Sequence, residues 1–450
     1  MLKERTSPKQ GFISNSRFLF SLTLPILHLI LTYISKSQLS TYPCPNNISF
    51  LYNYGFLLNI CIVLQIITGI YLSIHYIPII SYSFFIIKHI IHDIYNGSLL
   101  RYLHSNEASF TFLILYIHIY RSIIFQSYIF LFHTWVTGIF LYLFLLMIAF
   151  LGYILPWGQK SFWGATVITN VLSTIPDLIE WICGNFFIYN PTLNRFFILH
   201  FILPFLIMNS LLFHIFYLHL FSSNHPLIYN SNNKITFSNY IFSKDYYGFL
   251  LLLISYFLQI GFGILVISHP DNTLEVNILI TPFHIVPEWY FLSFYTLLKT
   301  IPDKNTGINI LCLTIILFFM SDSFGFITNS FSIGITIYSL IWICFIWVSA
   351  EIPKVNFICL CRFYIYWYLL MLGWGEGGAA SPHHPTLINI NIYKEMYVGG
   401  KEEAELLLLP PNITFPYSYF MASSNLPVRE CGGEPKAGSP TPLLVNYLGH

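Results

Sequence analysis

Long uncharged apolar stretches separated by short polar bands dominate the chain. No Asp, Glu, Lys or Arg occurs in 37–87, 122–159, 196–233, 246–270, 305–321 or 323–350, and a shorter gap, 108–120, ends at Arg121. A helix needs about 20 mostly apolar residues to cross the hydrocarbon, and helices satisfy their backbone groups without water. The pattern therefore predicts an all-α polytopic membrane protein with eight spans. These are roughly 54–77 (A), 100–125 (B), 132–153 (C), 195–221 (D), 246–267 (E), 306–322 (F), 331–350 (G) and 357–374 (H). Span B is the least apolar, with Arg101, His104 and Glu107 near its start. Segment 18–35 is apolar but holds Pro25 and His28, and reads as a helix lying on the membrane surface. The chain divides into an N-terminal segment (1–50), spans A–D (51–225), spans E–H (226–374) and a polar extension (375–450).

By parity, loops A–B (78–99), C–D (154–194) and E–F (268–305) share one face, and the short loops B–C and D–E the other. The long loops hold most turn residues and are where function is expected. The extension should lie on the short-loop side, outside the bilayer, against another subunit.

Composition agrees. Of 450 residues 56% are hydrophobic and 9% charged, against about 25% charged in a soluble domain. A net charge of +1 leaves no field to recruit nucleic acid. The eight Cys include no CxxC pair or CxxCH, which argues against a disulfide framework, a structural zinc site or covalently attached haem.

Four intramembrane histidines carry the chemistry. His104 and His118 in span B, and His200 and His214 in span D, are each 14 residues apart. Fourteen residues is almost four turns, so each pair faces one way, about 21 Å apart along the axis. With C between them, B and D run parallel, so His104 is level with His200 and His118 with His214. A lone intramembrane His is more often a packed, hydrogen-bonded residue. Two level pairs instead suit two bis-His haems, whose filled axial positions favour electron transfer. Gly55 and Gly69 in span A, and Gly138 and Gly152 in span C, repeat the 14-residue spacing. Glycines can leave room for a macrocycle, though small residues also serve close helix packing. Arg101 and Arg121 lie three residues outside the span B histidines, where a propionate would find a cation and an interfacial anchor would also sit.

The stretches RYLHSNEASF (101–110), GYILPWGQKSFWGATVITN (152–170), RFFILHFILPF (195–205) and PEWY (287–290) resemble the cytochrome b family in its mitochondrial form, the central subunit of the cytochrome bc complex (respiratory complex III). The resemblance covers about 43–374. It implies a di-haem four-helix bundle of A–D, with the lower-potential haem b on His104/His200 and the higher-potential one on His118/His214. It implies a quinol-oxidation site by the long loops at Tyr153, Gly164, Glu288, Phe291 and Tyr295, with Glu288 accepting a quinol proton. A quinone-reduction site is implied at His219, Ser223, Lys244 and Asp245, where a His–carboxylate pair can deliver protons.

The activity implied is that of a quinol–cytochrome-c reductase using ubiquinol and ubiquinone and contributing to a proton gradient. The setting is a multi-pass protein of the mitochondrial inner membrane, surrounded by lipid. Its partners would be a Rieske iron–sulfur protein, a c-type cytochrome, other complex III subunits and a second copy of the complex. Three positions depart from the family pattern: His269 before PDN, Lys299 after PEWY, and Leu220 after His219. The last weakens the expected proton path to the reduction site. A transporter with structural histidines would need ionisable groups at the midplane, which are nearly absent. A haem–copper oxidase would need three copper-binding histidines, and the adjacent His383 and His384 lie in the polar extension.

Overall fold

The computed structural model describes residue 32 and residues 40–366, except 126, 222, 224–232, 266–268, 302, 320–330, 353 and 355. The expected surface helix at 18–35, the end of span H and the extension from 375 lie outside the described residues. The helices are α1 (Tyr54–Ser73), α2 (Ile80–His92), α3 (Gly97–Ile124), α4 (Phe132–Ile154), α5 (Gln159–Val171), α6 (Pro176–Cys183), α7 (Asn190–Phe221), α8 (Phe242–Phe262), α9 (Leu292–Thr300), α10 (Lys304–Phe319) and α11 (Phe331–Ala350). Residues 356–366 are also helical. Two three-residue strands, β1 (Pro43–Pro45) and β2 (Lys234–Thr236), pair antiparallel with Cys44 opposite Ile235.

Spans A, B, C and D correspond to α1, α3, α4 and α7. Helix α1 packs on α3, and α4 on α7. Ile62 of α1, Leu141 of α4 and Ile207 of α7 share a buried cluster. Helix α8 closes against α1 and α3 through Leu57, Cys61, Ile114, Leu252 and Tyr256. A separate core of Leu297, Ile341, Phe345 and Ile365 joins α9, α11 and the last helical segment.

The outer faces are apolar. Leu212, Phe216, Leu251 and Phe257 are exposed on α7 and α8. Such continuous apolar surface is stable against lipid and not against water. With Phe50–Asn53 counted into α1, four described helices are long and apolar enough to cross a membrane: 50–73, 132–154, 190–221 and 242–262. Helix α3 has 28 residues but carries Arg101, Glu107 and Arg121. The count of eight spans rests on the charge pattern.

The expected loops contain helices. The A–B connection is largely α2, and the C–D connection holds α5 and α6. They are too short to leave a membrane-length uncharged run of their own. Span E ends at Phe262, earlier than expected, because Gly263 takes a left-handed φ of 58° and its N–H bonds the Gln259 carbonyl at 2.8 Å. Glycine is the residue that makes this helix stop without strain.

Candidate functional site

Helices α3 and α7 bring His104 and His200 opposite each other, with ring centroids 6.3 Å apart and planes at 85°. Two imidazoles that each reach about 2 Å to one metal between them have centroids about 6 Å apart. The Thr68 hydroxyl donates to the Leu64 carbonyl at 2.8 Å and lies 2.9 Å from His104 Nδ1. Its single proton is used, so it accepts from Nδ1–H, and the Nε2 lone pair is left free. His200 Nδ1 donates to the Ile148 carbonyl at 2.9 Å, with the same consequence.

The other level repeats the device. Thr137 donates to the His133 carbonyl at 2.9 Å and accepts from His214 Nδ1 at 3.1 Å. Of the four ring Nδ1 atoms, His118 Nδ1 alone is buried without a hydrogen-bond partner. Three of the four rings are thus fixed in the tautomer that a ligand requires. Replacing Thr68 by Val should weaken retention of any metal group held by the His104 pair by about 10–100-fold, as removal of an orienting partner does. Loss of that group during stepwise denaturation would measure this, and loss rates equal at both levels would refute it.

Each of the four glycines faces one histidine. A Cβ on Gly69 would stand 3.2 Å from His104 Cε1, one on Gly55 3.3 Å from His118 Cε1, and one on Gly138 3.2 Å from His214 Cε1. A Cβ on Gly152 would press into the His200 ring. The glycines therefore make room for the imidazoles as well as for anything between them. The 14-residue period in α1 and α4 is that of α3 and α7 because each glycine serves one ring.

His104 and His200 open onto a cavity of about 840 Å³ that Gly69, Gly152 and Arg101 also line, within the size range of cofactor sites. Arg121 sits 4.8 Å over the Tyr52 ring, and its Nε is buried with no hydrogen-bond partner. Around His104 and His200, paired imidazoles with free Nε2 atoms, the cavity and the Arg101 cation fit a haem carrying propionates.

The long-loop face forms a second constellation. Tyr153, Gly164, Glu288 and Phe291 line one small cavity of about 20 Å³. Tyr295 is not among its lining residues; its hydroxyl bonds the Ile285 carbonyl at 3.2 Å. The Pro287–Tyr290 turn docks on α3: Phe112 and Tyr290 stack at 4.2 Å and 7°, and the Tyr116 hydroxyl donates to the Tyr290 carbonyl at 2.5 Å. Lys299 donates to the Ser349 and Glu351 carbonyls, so this departure serves the C-terminal end of α11, where a cation is favoured.

Residues 157–161 clamp the E–F segment. Trp157 takes a left-handed φ of 53°, and its ring is buried; such a conformation costs about 1–3 kcal/mol and persists only where packing holds it. Gly158 lies so close to Asn272 that a Cβ would come 2.6 Å from its carbonyl oxygen. Gln159 donates to the Ile280 carbonyl at 2.6 Å and accepts from the Asn277 N–H at 2.7 Å. Ser161 offers its N–H and its hydroxyl to Asn272 Oδ1 at 3.0 and 2.8 Å. Lys160 Nζ lies 3.6 Å from Glu288 Oε1.

On the short-loop face His219, Lys244 and Asp245 meet one intervening segment. His219 stacks on Tyr42 at 4.2 Å, Lys244 donates to the Ile48 carbonyl at 2.9 Å, and Asn53 donates to Asp245 at 2.6 Å. Ser223 is half-buried just beyond α7. Segment 42–53 thus links these residues, with Tyr42 and Asn53 as members that the sequence reading did not single out. Thr68, Thr137 and Lys160 were also missed. A Thr directly before a Gly in both α1 and α4 was the available signal for the first two.

A helical membrane bundle with His104 opposite His200, their rings oriented by Thr68 and the Ile148 carbonyl, suits a haem-binding electron-transport protein. Residues 39–222 match the family model described as cytochrome b/b6/petB, and residues 275–369 the one described as cytochrome b (C-terminal)/b6/petD. The chain is 43% identical over 343 residues to a cytochrome b of Plasmodium vivax (strain Salvador I), covering 74% of this chain and 90% of that one. It is 41% identical over 302 residues to a cytochrome b of Solanum tuberosum, covering 65% and 76%. A chain of a hyperthermophilic respiratory Complex III shares the fold, with a TM-score of 0.72 at 24% identity, covering 77% of this chain and 95% of that one. The chain belongs to the cytochrome b family.

Proposed function

We propose that the chain is the catalytic subunit of a mitochondrial quinol–cytochrome-c reductase, with two b haems on His104/His200 and His118/His214. The observation that carries this is the repeated unit of one histidine, one facing glycine and one Nδ1 acceptor, present at both levels of the bundle. With both haems bound, the chain would connect two quinone sites, so that one electron of each quinol leaves to a Rieske iron–sulfur protein and the other crosses the membrane. The chain's own residues do the rest. Phe150, Ile154, Ala165 and Phe291 supply an apolar wall that excludes water, and Glu288 stands in that wall to take a hydroxyl proton. Opposite, His219 and Asp245 supply protons to a reduced quinone, held in place by Tyr42 and Asn53.

The relatives named above support a place in the inner mitochondrial membrane. A multi-subunit assembly with a Rieske protein and a c-type cytochrome follows from the reaction, because no other acceptor lies in this chain's described residues.

A reduced-minus-oxidised spectrum of the purified complex should show two b-type haems that bleach separately in a redox titration. Glu288→Gln should slow quinol oxidation at least about tenfold, since a positioned general base contributes about 10²–10⁴-fold and water substitutes in part. Both haem spectra and quinone reduction on the His219 side should stay as in wild type. Normal turnover in this variant would assign the proton to another group.

A further inference from the structure

Lys160 is 7% exposed and Glu288 9% exposed, and their charged atoms lie 3.6 Å apart. Both line the small cavity with Tyr153, Gly164 and Phe291. The Lys160 ammonium also sits 5.8 Å over the Tyr153 ring. Neither residue can leave easily. Lys160 is flanked by Gln159 and Ser161, which are bonded to Ile280, Asn277 and Asn272. Glu288 is followed by the turn stacked on Phe112. A lysine buried this deeply is rare unless paired, and removing one partner of such a pair leaves an uncompensated charge.

Resting on the reading of Glu288 as proton acceptor, we propose that Lys160 is a positioning residue for quinol oxidation: its ammonium holds the Glu288 carboxyl group at the cavity wall, and transfer of the quinol proton to Glu288 opens that pair. The step balances simply. A quinol O–H bond breaks, a carboxyl O–H bond forms on Glu288, the electrons leave to the acceptors of the reaction, and Lys160 keeps its own protons. The neutral carboxylic acid no longer attracts the ammonium, so arrival of the proton itself frees the side chain to turn towards water. Burial pushes the Lys160 ammonium down from its ordinary range, and the Glu288 and Asp271 carboxylates push it back up. Other titratable groups facing the pair are Tyr153 from α4, Tyr290 from the turn after Glu288, and His269 and Asp271 from the E–F segment. The His269 Nδ1 accepts from the Asp271 N–H at 3.2 Å, and both His269 and Glu288 reach the large cavity beside His104.

The test is steady-state oxidation of a short-chain ubiquinol by the purified complex between pH 5 and 9. Lys160→Met, Lys160→Arg, Glu288→Gln, His269→Asn and the Lys160→Met/Glu288→Gln double variant are compared. The acceptor must be ionised to take a proton, and the ammonium favours that ionised form. Lys160→Met should therefore move the acid limb of the kcat profile to higher pH by about one unit, leave KM within about twofold, and keep both haem spectra. Lys160→Arg should restore the wild-type limb. The double variant should be no slower than Glu288→Gln, because coupled residues are not additive. His269→Asn should leave the limb in place.

A wild-type profile for Lys160→Met, a shift that Lys160→Arg does not reverse, an additive double variant or a limb that moves with His269→Asn would each overturn the proposal. If Lys160→Met loses its haem bands, Lys160→Gln is judged by the same outcomes. Full turnover in Glu288→Gln would instead sink the reading of Glu288, whatever Lys160 does.

Discussion

On the proposed assignment of two b haems, a His200→Leu complex is expected to hold one b-type haem rather than two, and to lose quinol-driven cytochrome reduction by far more than a hundredfold. Loss of an outer-shell partner alone costs about 10–100-fold in metal affinity, and here an axial ligand itself is removed. His104 would keep its Thr68 and Gln65 contacts, the latter from Gln65 Nε2 to the His104 carbonyl at 2.8 Å. Helix α3 therefore stays formed, and the His118/His214 level is untouched. Pyridine haemochrome content per chain and a redox titration read the result directly. Two haems of unchanged potential in the variant would show that His200 is a packing residue.

The second large effect is expected at Gly152. Leu is a better helix former than Gly by roughly 0.8–1 kcal/mol, so propensity alone predicts a stabler α4 in Gly152→Leu. The side chain would occupy the space of the His200 imidazole, which a bare Cβ already enters. His200 must then swing away and give up its 2.9 Å bond to the Ile148 carbonyl. Haem should be lost at this level while far-ultraviolet circular dichroism stays as in wild type. Gly69→Leu should act in the same direction but less, because its Cβ stands 3.2 Å from the His104 ring. Full haem occupancy in Gly152→Leu would make the glycine an ordinary packing position.

The membrane core of the fold was readable because lipid imposes one simple rule, a long run without charge. Span C was placed at 132–153 and α4 runs Phe132–Ile154; span G at 331–350 coincides with α11. Helices α2, α5 and α6 obey no such rule, because each is short, part polar and placed by its neighbours. Of the candidate haem site, the histidines and glycines were visible through periodicity. Thr68 and Thr137 were not, since their role depends on which ring nitrogen they meet. Lys160 was hidden for a related reason: its partner, Glu288, is 128 positions away and reaches it only through the clamp at Asn272.

That clamp fixes how the two halves of the protein cohere. Gln159, Ser161 and Lys160 hold 272–288 by non-covalent contacts alone, and Tyr116 holds Tyr290. Each of these bonds joins a residue before α7 to one beyond α8. The long-loop face is thus built like a subunit interface, from contacts between two stretches far apart in the sequence.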